Sequence, residues 1–427
     1  MAGQASTRRT RVGLLVALLL AAANMRTPLA SVPPVIGQIE ADLHLNATQA
    51  GLLTTLPIAF MGLFAPVAHR LAARWGREAV VTLALVVLAV GMGIRLAGQV
   101  LPAALLAGVV LAGIGLALIA TVLPGVVKEH FADRAGAVSG AYLAMMMGGA
   151  ALAAAASVPL SRALGGWPAG LASWSLLAVA ALVAWLAATG GRSRRPAAVV
   201  ATPLPWRSGT AWLVTGFVTG NSVLFFGLLA WVSPALVDHG WTAARAGVAL
   251  AAFTLTQLVA ALALPAVGDR LRDRRGLFGL TLAAAAAGIV LLAVAPMAAP
   301  WLAVCLAGFG LGGGFSLCLL LLVDYAPTPA TSAGASAMVF LVSYVTAAAT
   351  PTVLGALRQA TGSFTVAFSA LLVVVAAQAV IAARLGPGRQ VPDPPGAAAP
   401  STRAAGSDGP ASASGPDPAT AGRRAGR

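Results

Sequence analysis

The stretch Ala22-Ala23-Asn24-Met25-Arg26-Thr27-Pro28 interrupts an apolar run that extends from Val12 to Ile39. At the helical rise per residue, Arg26 lies roughly 20 Å beyond Val12, past the middle of a ~30 Å hydrocarbon core. A guanidinium at that depth is costly, and it does not shed its proton as a lysine can. Pro28 has no N–H to give the carbonyl of Asn24, and Pro33 and Pro34 likewise release the carbonyls of Leu29 and Ala30. The helix is therefore weakened where its charge sits. On an unbroken helix Asn24 and Arg26 point about 200° apart; a weakened turn lets both face one cavity. Two readings follow. Either Arg26 snorkels to the headgroups from a plain helix, or it lines a water-filled path and holds an anionic or oxygen-rich solute.

Composition places the chain in a membrane. Hydrophobic residues make up 59% and charged residues 9%, with a mean hydropathy of +0.88, a surface that no soluble domain of this length could cover. The net charge of +15 does not imply nucleic acid, because the basic residues sit in short loops and tails between apolar runs. The four histidines, His44, His69, His130 and His239, fall in predicted loops, which argues against a metal centre or histidine catalysis within the spans. No cofactor is expected. Arg8, Arg9 and Arg11 ahead of an apolar run mimic a signal peptide, but the run is too long and is read as an uncleaved first span.

Apolar runs of helical length recur near 12–36, 50–68, 79–97, 101–127, 136–158 and 171–189, and again near 209–232, 244–267, 277–295, 301–323, 334–356 and 363–383. This predicts an all-α polytopic protein of twelve transmembrane helices. The expected organisation is a cytoplasmic segment 1–11, a six-helix bundle 12–190, a linker 191–208, a second bundle 209–384 and a disordered tail 385–427 rich in Pro, Ala, Gly and Ser. Lys and Arg crowd one side, in Arg70, Arg74, Arg77, Lys128, Arg134, Arg207, Arg270 and Arg274 among others, against Arg95, Arg162, Arg245 and Arg358 on the other. That bias puts both termini in the cytoplasm of a cell membrane. Arg95, near the outer end of the third span, is expected to snorkel.

The halves repeat. Asn24 answers to Asn221; Pro34 before Ala50-Gly51-Leu52 answers to Pro234 before Ala246-Gly247-Val248; Pro57 answers to Pro265. Such repeats place a solute site between halves that alternate in access. Pro28, Pro34, Pro57, Pro124, Pro234 and Pro265 are expected to break or bend their spans.

The loop from Asp269-Arg270 through Asp273-Arg274-Arg275-Gly276 resembles the G-x-x-x-D-R-x-G-R loop of the major facilitator superfamily, and Ala73-Arg74-Trp75-Gly76-Arg77 resembles its first-half copy with Ala73 in place of the acid. Within that superfamily the chain is similar to the cyanate and nitroimidazole transporter branch. The similarity rests on Asn24-Met25-Arg26-Thr27-Pro28-Leu29-Ala30-Ser31-Val32, Leu53-Thr54-Thr55-Leu56-Pro57, Val122-Leu123-Pro124-Gly125-Val126-Val127-Lys128, Trp231-Val232-Ser233-Pro234 and Ala360-Thr361-Gly362-Ser363, and it spans about 12–383. The resemblance implies a two-bundle fold and transport of small solutes, some anionic. It also implies that Asp273 caps a helix and helps latch a gate, and that Trp231 lies near one. Ala120 and Phe340 stand where relatives often carry amides, which removes polar contacts from the expected cavity.

The candidate solute-binding set is Asn24, Arg26, Asn221, Gln257, Tyr142, Tyr344 and Trp231. For Asn221 a helix–helix hydrogen bond, and for the tyrosines and Trp231 packing or interface anchoring, remain alternatives. No Asp or Glu falls in the middle of a span, so nothing in the protein's own spans neutralises Arg26. The reading is a secondary transporter of a small anionic, carboxyl- or nitro-bearing solute, working as a monomer in the lipid bilayer. Proton-coupled multidrug efflux is the alternative, although such transporters usually protonate a buried carboxylate. A non-transporting sensor would need an output domain, and an intramembrane enzyme would need a catalytic cluster within the spans.

Overall fold

The computed structural model describes residues 2–131, 134–191, 204–268, 270–271, 273–325, 329–386 and 388–391. The α-helices are α1 (Ala2–Ala23), α2 (Thr27–Ala30), α3 (Ile36–Leu43), α4 (Ala47–Trp75), α5 (Arg77–Gly93), α6 (Pro102–His130), α7 (Ala135–Ala163), α8 (Trp167–Ser173), α9 (Ser175–Thr189), α10 (Gly209–Asp238), α11 (Ala243–Gly268), α12 (Arg275–Val294), α13 (Pro300–Asp324), α14 (Pro329–Ala348), α15 (Thr350–Thr361) and α16 (Phe364–Arg384). Short 3-10 turns occupy Pro33–Val35 and Ile94–Ala97. Among the described residues these make twelve segments long and apolar enough to cross a bilayer.

The first crossing, Arg11–Leu43, is not one helix. It stops after Ala23, and Arg26 leaves the helical region at φ −125°, ψ −11° before Pro28 opens α2. Pro33 and Pro34 then impose the 3-10 turn. Pro28 and Pro34 thus lie at the discontinuity. Pro57, Pro124, Pro234 and Pro265 lie inside continuous α4, α6, α10 and α11, which corrects the expectation of breaks there. An interior proline costs about 3 kcal/mol, and packing outweighs it. At Pro57 the backbone of α6 comes so close that a methyl group on Gly113 would meet the Pro57 carbonyl oxygen at 2.7 Å. The sixth and eleventh crossings, expected as single helices, are each split, at Trp174 and at Ala349.

Pairings in the first half recur in the second. Helix α4 packs on α6 as α11 does on α13, α5 on α6 as α12 on α13, α1 on α9 as α10 on α16, α5 on α9 as α12 on α16, and α1 on α7 as α10 on α14. The halves meet through α7 with α11 and through α4 with α14 and α15, which are equivalent contacts under the same repeat.

We call the end that carries the loops at 44–46, 239–242 and 361–363 the far end, and the other the near end. At the far end the halves touch closely. Gly51 lies where a methyl group would sit 2.7 Å from the Pro351 carbonyl oxygen. Thr55 and Thr352 share a hydroxyl hydrogen bond of 2.8 Å, and Thr48 donates to Gln359 Oε1 at 2.7 Å. Gly247 of α11 packs on the Ala154 carbonyl of α7.

Two further expectations are corrected. His69 and His130 lie on α4 and α6 rather than in loops. Residues 386 and 391, expected in a disordered tail, are held: Val391 N–H donates to the Tyr325 carbonyl at 2.8 Å, and Tyr325 donates its hydroxyl to Gly386 O at 2.9 Å. Most of the linker, 192–203, and the tail from 392 lie outside the described residues.

Candidate functional site

The broken turn between α1 and α2 projects Arg26 across to α10 of the other half, where its Cζ lies 4.2 Å from the centroid of the Phe225 ring. Arg26 is within electrostatic range of the hydroxyls of Tyr142 on α7 and Tyr344 on α14. Its Nη1 is buried with no hydrogen-bond partner. Among the described residues no carboxylate pairs with it.

Aromatic rings continue from that point. Phe225 lies 4.9 Å from Phe226 and 6.2 Å, nearly parallel, from Phe253 of α11. Phe226 meets Tyr344 edge-on at 6.1 Å, and Tyr344 stacks on Phe340 at 5.9 Å and 21°. Phe225, Phe226 and Phe253 are buried, whereas Arg26, Tyr142, Phe340 and Tyr344 keep part of their surface free. The Phe ring faces carry partial negative charge, so Phe225 offsets some of the cost of holding a guanidinium here.

Asn221 stands one turn from Phe225 on α10, and Gln257 one turn from Phe253 on α11. Because those helices run antiparallel and the two rings face each other, the two amides share a level, one turn toward the near end. Glycines of α13 close over them: a methyl group on Gly314 would lie 3.3 Å from Asn221 Oδ1, and Gly312 rests on the Gln257 backbone. Gln257 Nε2 is buried without a partner, and Asn221 makes no side-chain hydrogen bond among the described residues.

Two candidates stand apart from this group. Asn24 is fully buried and donates Nδ2 to the carbonyls of Leu20 at 2.9 Å and Leu177 at 3.3 Å. Its contacts tie α1 to α9 rather than reaching beside Arg26. Trp231 is buried against Phe364 and donates its indole N–H to Pro351 O at 2.8 Å. It therefore braces α10 on the split eleventh crossing. Sequence reading passed over Phe225, Phe226 and Phe253, because aromatic residues in an apolar span carry no signal of their own; only their spacing from Asn221 and Gln257 marks them.

The expectation for Arg95 is overturned. It is fully buried rather than snorkelled, and its Nη1 points at the Pro28 carbonyl at 3.4 Å while Nε and Nη2 find no partner. The short 3-10 turn Ile94–Ala97 aims the side chain inward, against Gly108 of α6.

At the near end, the loop residues form two comparable ion pairs. In the first half, Gly76 joins α4 to α5 at φ 88°, a conformation that favours glycine. Arg77 pairs with Glu129 at 2.9 Å, and Glu78 with His130 at 3.0 Å. Glu78, Glu129 and His130 could present three ligand atoms to a metal, but these pairings already account for the cluster. Arg74 is exposed in the last turn of α4. In the second half, Arg274 donates to Gly268 O at 2.9 Å and pairs with Asp324 at the end of α13. Asp273, one residue before the N-cap Arg274, accepts the Arg275 N–H at 2.9 Å through Oδ1, at the first turn of α12, which Gly276 continues. Arg270 is exposed, and Asp269 lies outside the described residues. A cavity of about 310 Å³ lies beside this pair, bounded by Leu271, Phe278, Tyr325 and Arg389. Burial pushes the Tyr325 phenol above its ordinary range, so it stays a donor to the strap at Gly386.

Twelve apolar crossings in two repeated sets of six define a multi-pass membrane protein. The chain belongs to the major facilitator superfamily, whose family model matches residues 14–241. It is 34% identical over 376 residues to the cyanate transport protein CynX of Escherichia coli (strain K12), covering 84% of this chain and 94% of that protein. It is 30% identical over 364 residues to the 2-nitroimidazole transporter of the same organism, covering 84% of this chain and 91% of that protein. An uncharacterized transporter, YycB of Bacillus subtilis (strain 168), is 32% identical over 387 residues, covering 88% of this chain and 93% of that protein. In fold the chain matches the crystal structure of the nucleoside transporter NupG at a TM-score of 0.68, with 11% identity, over 87% of this chain and 98% of that one. It is thus a secondary transporter of a small solute, not an enzyme.

Proposed function

We propose that the protein moves a small solute bearing an anionic, carboxyl or nitro group by alternating access of two six-helix bundles, 12–190 and 209–384. The observation that carries this reading is Arg26. It is a permanent charge inside the first apolar crossing, with an unpartnered Nη1 and no acidic neighbour among the described residues. Its planar fork suits a carboxylate, nitro or other oxygen pair. The named substrates of the relatives, cyanate and 2-nitroimidazole, fit this requirement.

In this reading Arg26 holds the solute, Tyr142 and Tyr344 flank it, and Asn221 and Gln257 offer amide contacts one turn away. Asn24 keeps the broken turn seated on α9. The surplus of Lys and Arg at the near end puts both termini in the cytoplasm of the cell membrane. The close contact of Gly51 with Pro351 then seals the outer end, and the Arg77–Glu129 and Arg274–Asp324 pairs organise the inner one.

The test uses purified protein and a thermal-shift series with cyanate, acetate, benzoate and 2-nitroimidazole. An anion that stabilises the native protein is expected to lose its effect on Arg26→Ala and to keep part of it on Arg26→Lys. Stabilisation undiminished in Arg26→Ala would remove Arg26 from its role.

A further inference from the structure

We propose that the site selects a flat aromatic carboxylate, recognised by Arg26 at one end and by the stacked rings of Phe340 and Tyr344 at the other. The proposal rests on the reading of Arg26 as the solute's anchor and goes beyond it in naming the solute's body.

Three observations lead there. First, the charge must be met by charge. Arg26 is always protonated and no carboxylate of the described protein faces it, so a neutral nitro group satisfies its N–H groups without neutralising it, whereas a carboxylate does both. Second, the guanidinium face is already covered. Phe225 lies under Cζ at 4.2 Å, so a solute meets the guanidinium at its N–H edge rather than at that face, and Nη1, buried on that edge, has no partner within the described protein. An edge-on fork favours a planar, bidentate acceptor whose body continues in the guanidinium plane. Third, the surface around Arg26 is aromatic, and Tyr344 lies within its electrostatic range. Rings pass in contact from Phe225 through Phe226 to Tyr344 and Phe340. The last two retain free surface and are one turn apart on α14, inclined by only 21°. A flat aromatic ring can continue that stack. A small linear anion such as cyanate would satisfy Arg26 and leave those rings uncovered.

Stacking a ring on this pair adds about tenfold in affinity over an equally large, saturated ring. The discriminating pair is therefore benzoate and cyclohexanecarboxylate, which carry the same charge and differ in flatness and π-character. Binding to the full-length purified protein is measured by calorimetry, with acetate, cyanate and nitrobenzene alongside. Benzoate is expected to bind about tenfold more tightly than cyclohexanecarboxylate, and nitrobenzene more weakly than benzoate. In Phe340→Leu the benzoate-to-cyclohexanecarboxylate ratio is expected to fall toward one. Equal affinity for the two carboxylates in the unaltered protein overturns the aromatic selection and leaves the anion reading standing. No binding of any carboxylate overturns the aromatic-carboxylate selection, and if cyanate and nitrobenzene also fail to bind, the anion reading falls with it. The unaltered protein decides the matter even if Phe340→Leu does not fold.

Discussion

Arg95 directs its Nη1 at the carbonyl oxygen of Pro28, 3.4 Å away, and so reaches from the third crossing to the turn that carries Arg26. The bond is long, and Nε and Nη2 of the same fully buried guanidinium have no partner. One weak bond against the burial of a charge is a poor exchange for stability. Arg95→Met is therefore expected to leave the melting temperature unchanged or raise it, while loosening the turn and weakening anion binding several-fold. A fall in melting temperature of several degrees would show that the bond outweighs the desolvation.

Closure of the far end depends on the absence of a side chain at Gly51. A methyl group there would meet Pro351 O at 2.7 Å and the Thr352 Cα at 2.8 Å, both backbone atoms that cannot rotate aside. Gly51→Leu is expected to hold the halves apart at this end. In a background with Cys305 and Cys318 replaced by alanine, a cysteine placed at Thr48 should then react faster with a membrane-impermeant thiol reagent than it does with Gly51 intact.

Trp231 separates a bracing role from a binding one. Trp231→Phe removes the 2.8 Å bond to Pro351 O but keeps a ring against Phe364. The expected loss of stability is about 1 kcal/mol, read as a lowered melting temperature, with anion affinity within about twofold of the unaltered protein. A tenfold loss of affinity with unchanged stability would place the indole at the solute instead.

The Arg274–Asp324 pair is half open to solvent on its acid side, at 42% exposure. Its coupling by double-mutant cycle with Arg274→Gln and Asp324→Asn is expected to be about 0.5–1 kcal/mol and to shrink in high salt. Asp273→Asn keeps a side-chain oxygen for the Arg275 N–H and should change stability little, whereas Asp273→Ala should cost about 1 kcal/mol as that hydrogen bond is lost.

The amino-acid sequence by itself determined the membrane, the number of crossings and the twofold repeat, because these depend on the length and order of apolar runs. Arg26 and its weakened turn were legible too, since a charge beside Pro28 conflicts with a plain span at short range. The conflict could be read without knowing any neighbour. What only the tertiary structure decided is which side chains meet. Asn24 turned to the backbone of α9, Trp231 to Pro351, and Arg95 inward to Pro28. Phe225, unremarked in its own span, came to lie beneath the guanidinium. Periodicity gives the face of a helix but not the helix it faces. The four interior prolines make the same point, since the packing that keeps those helices continuous comes from residues distant in the chain, such as Gly113 on Pro57.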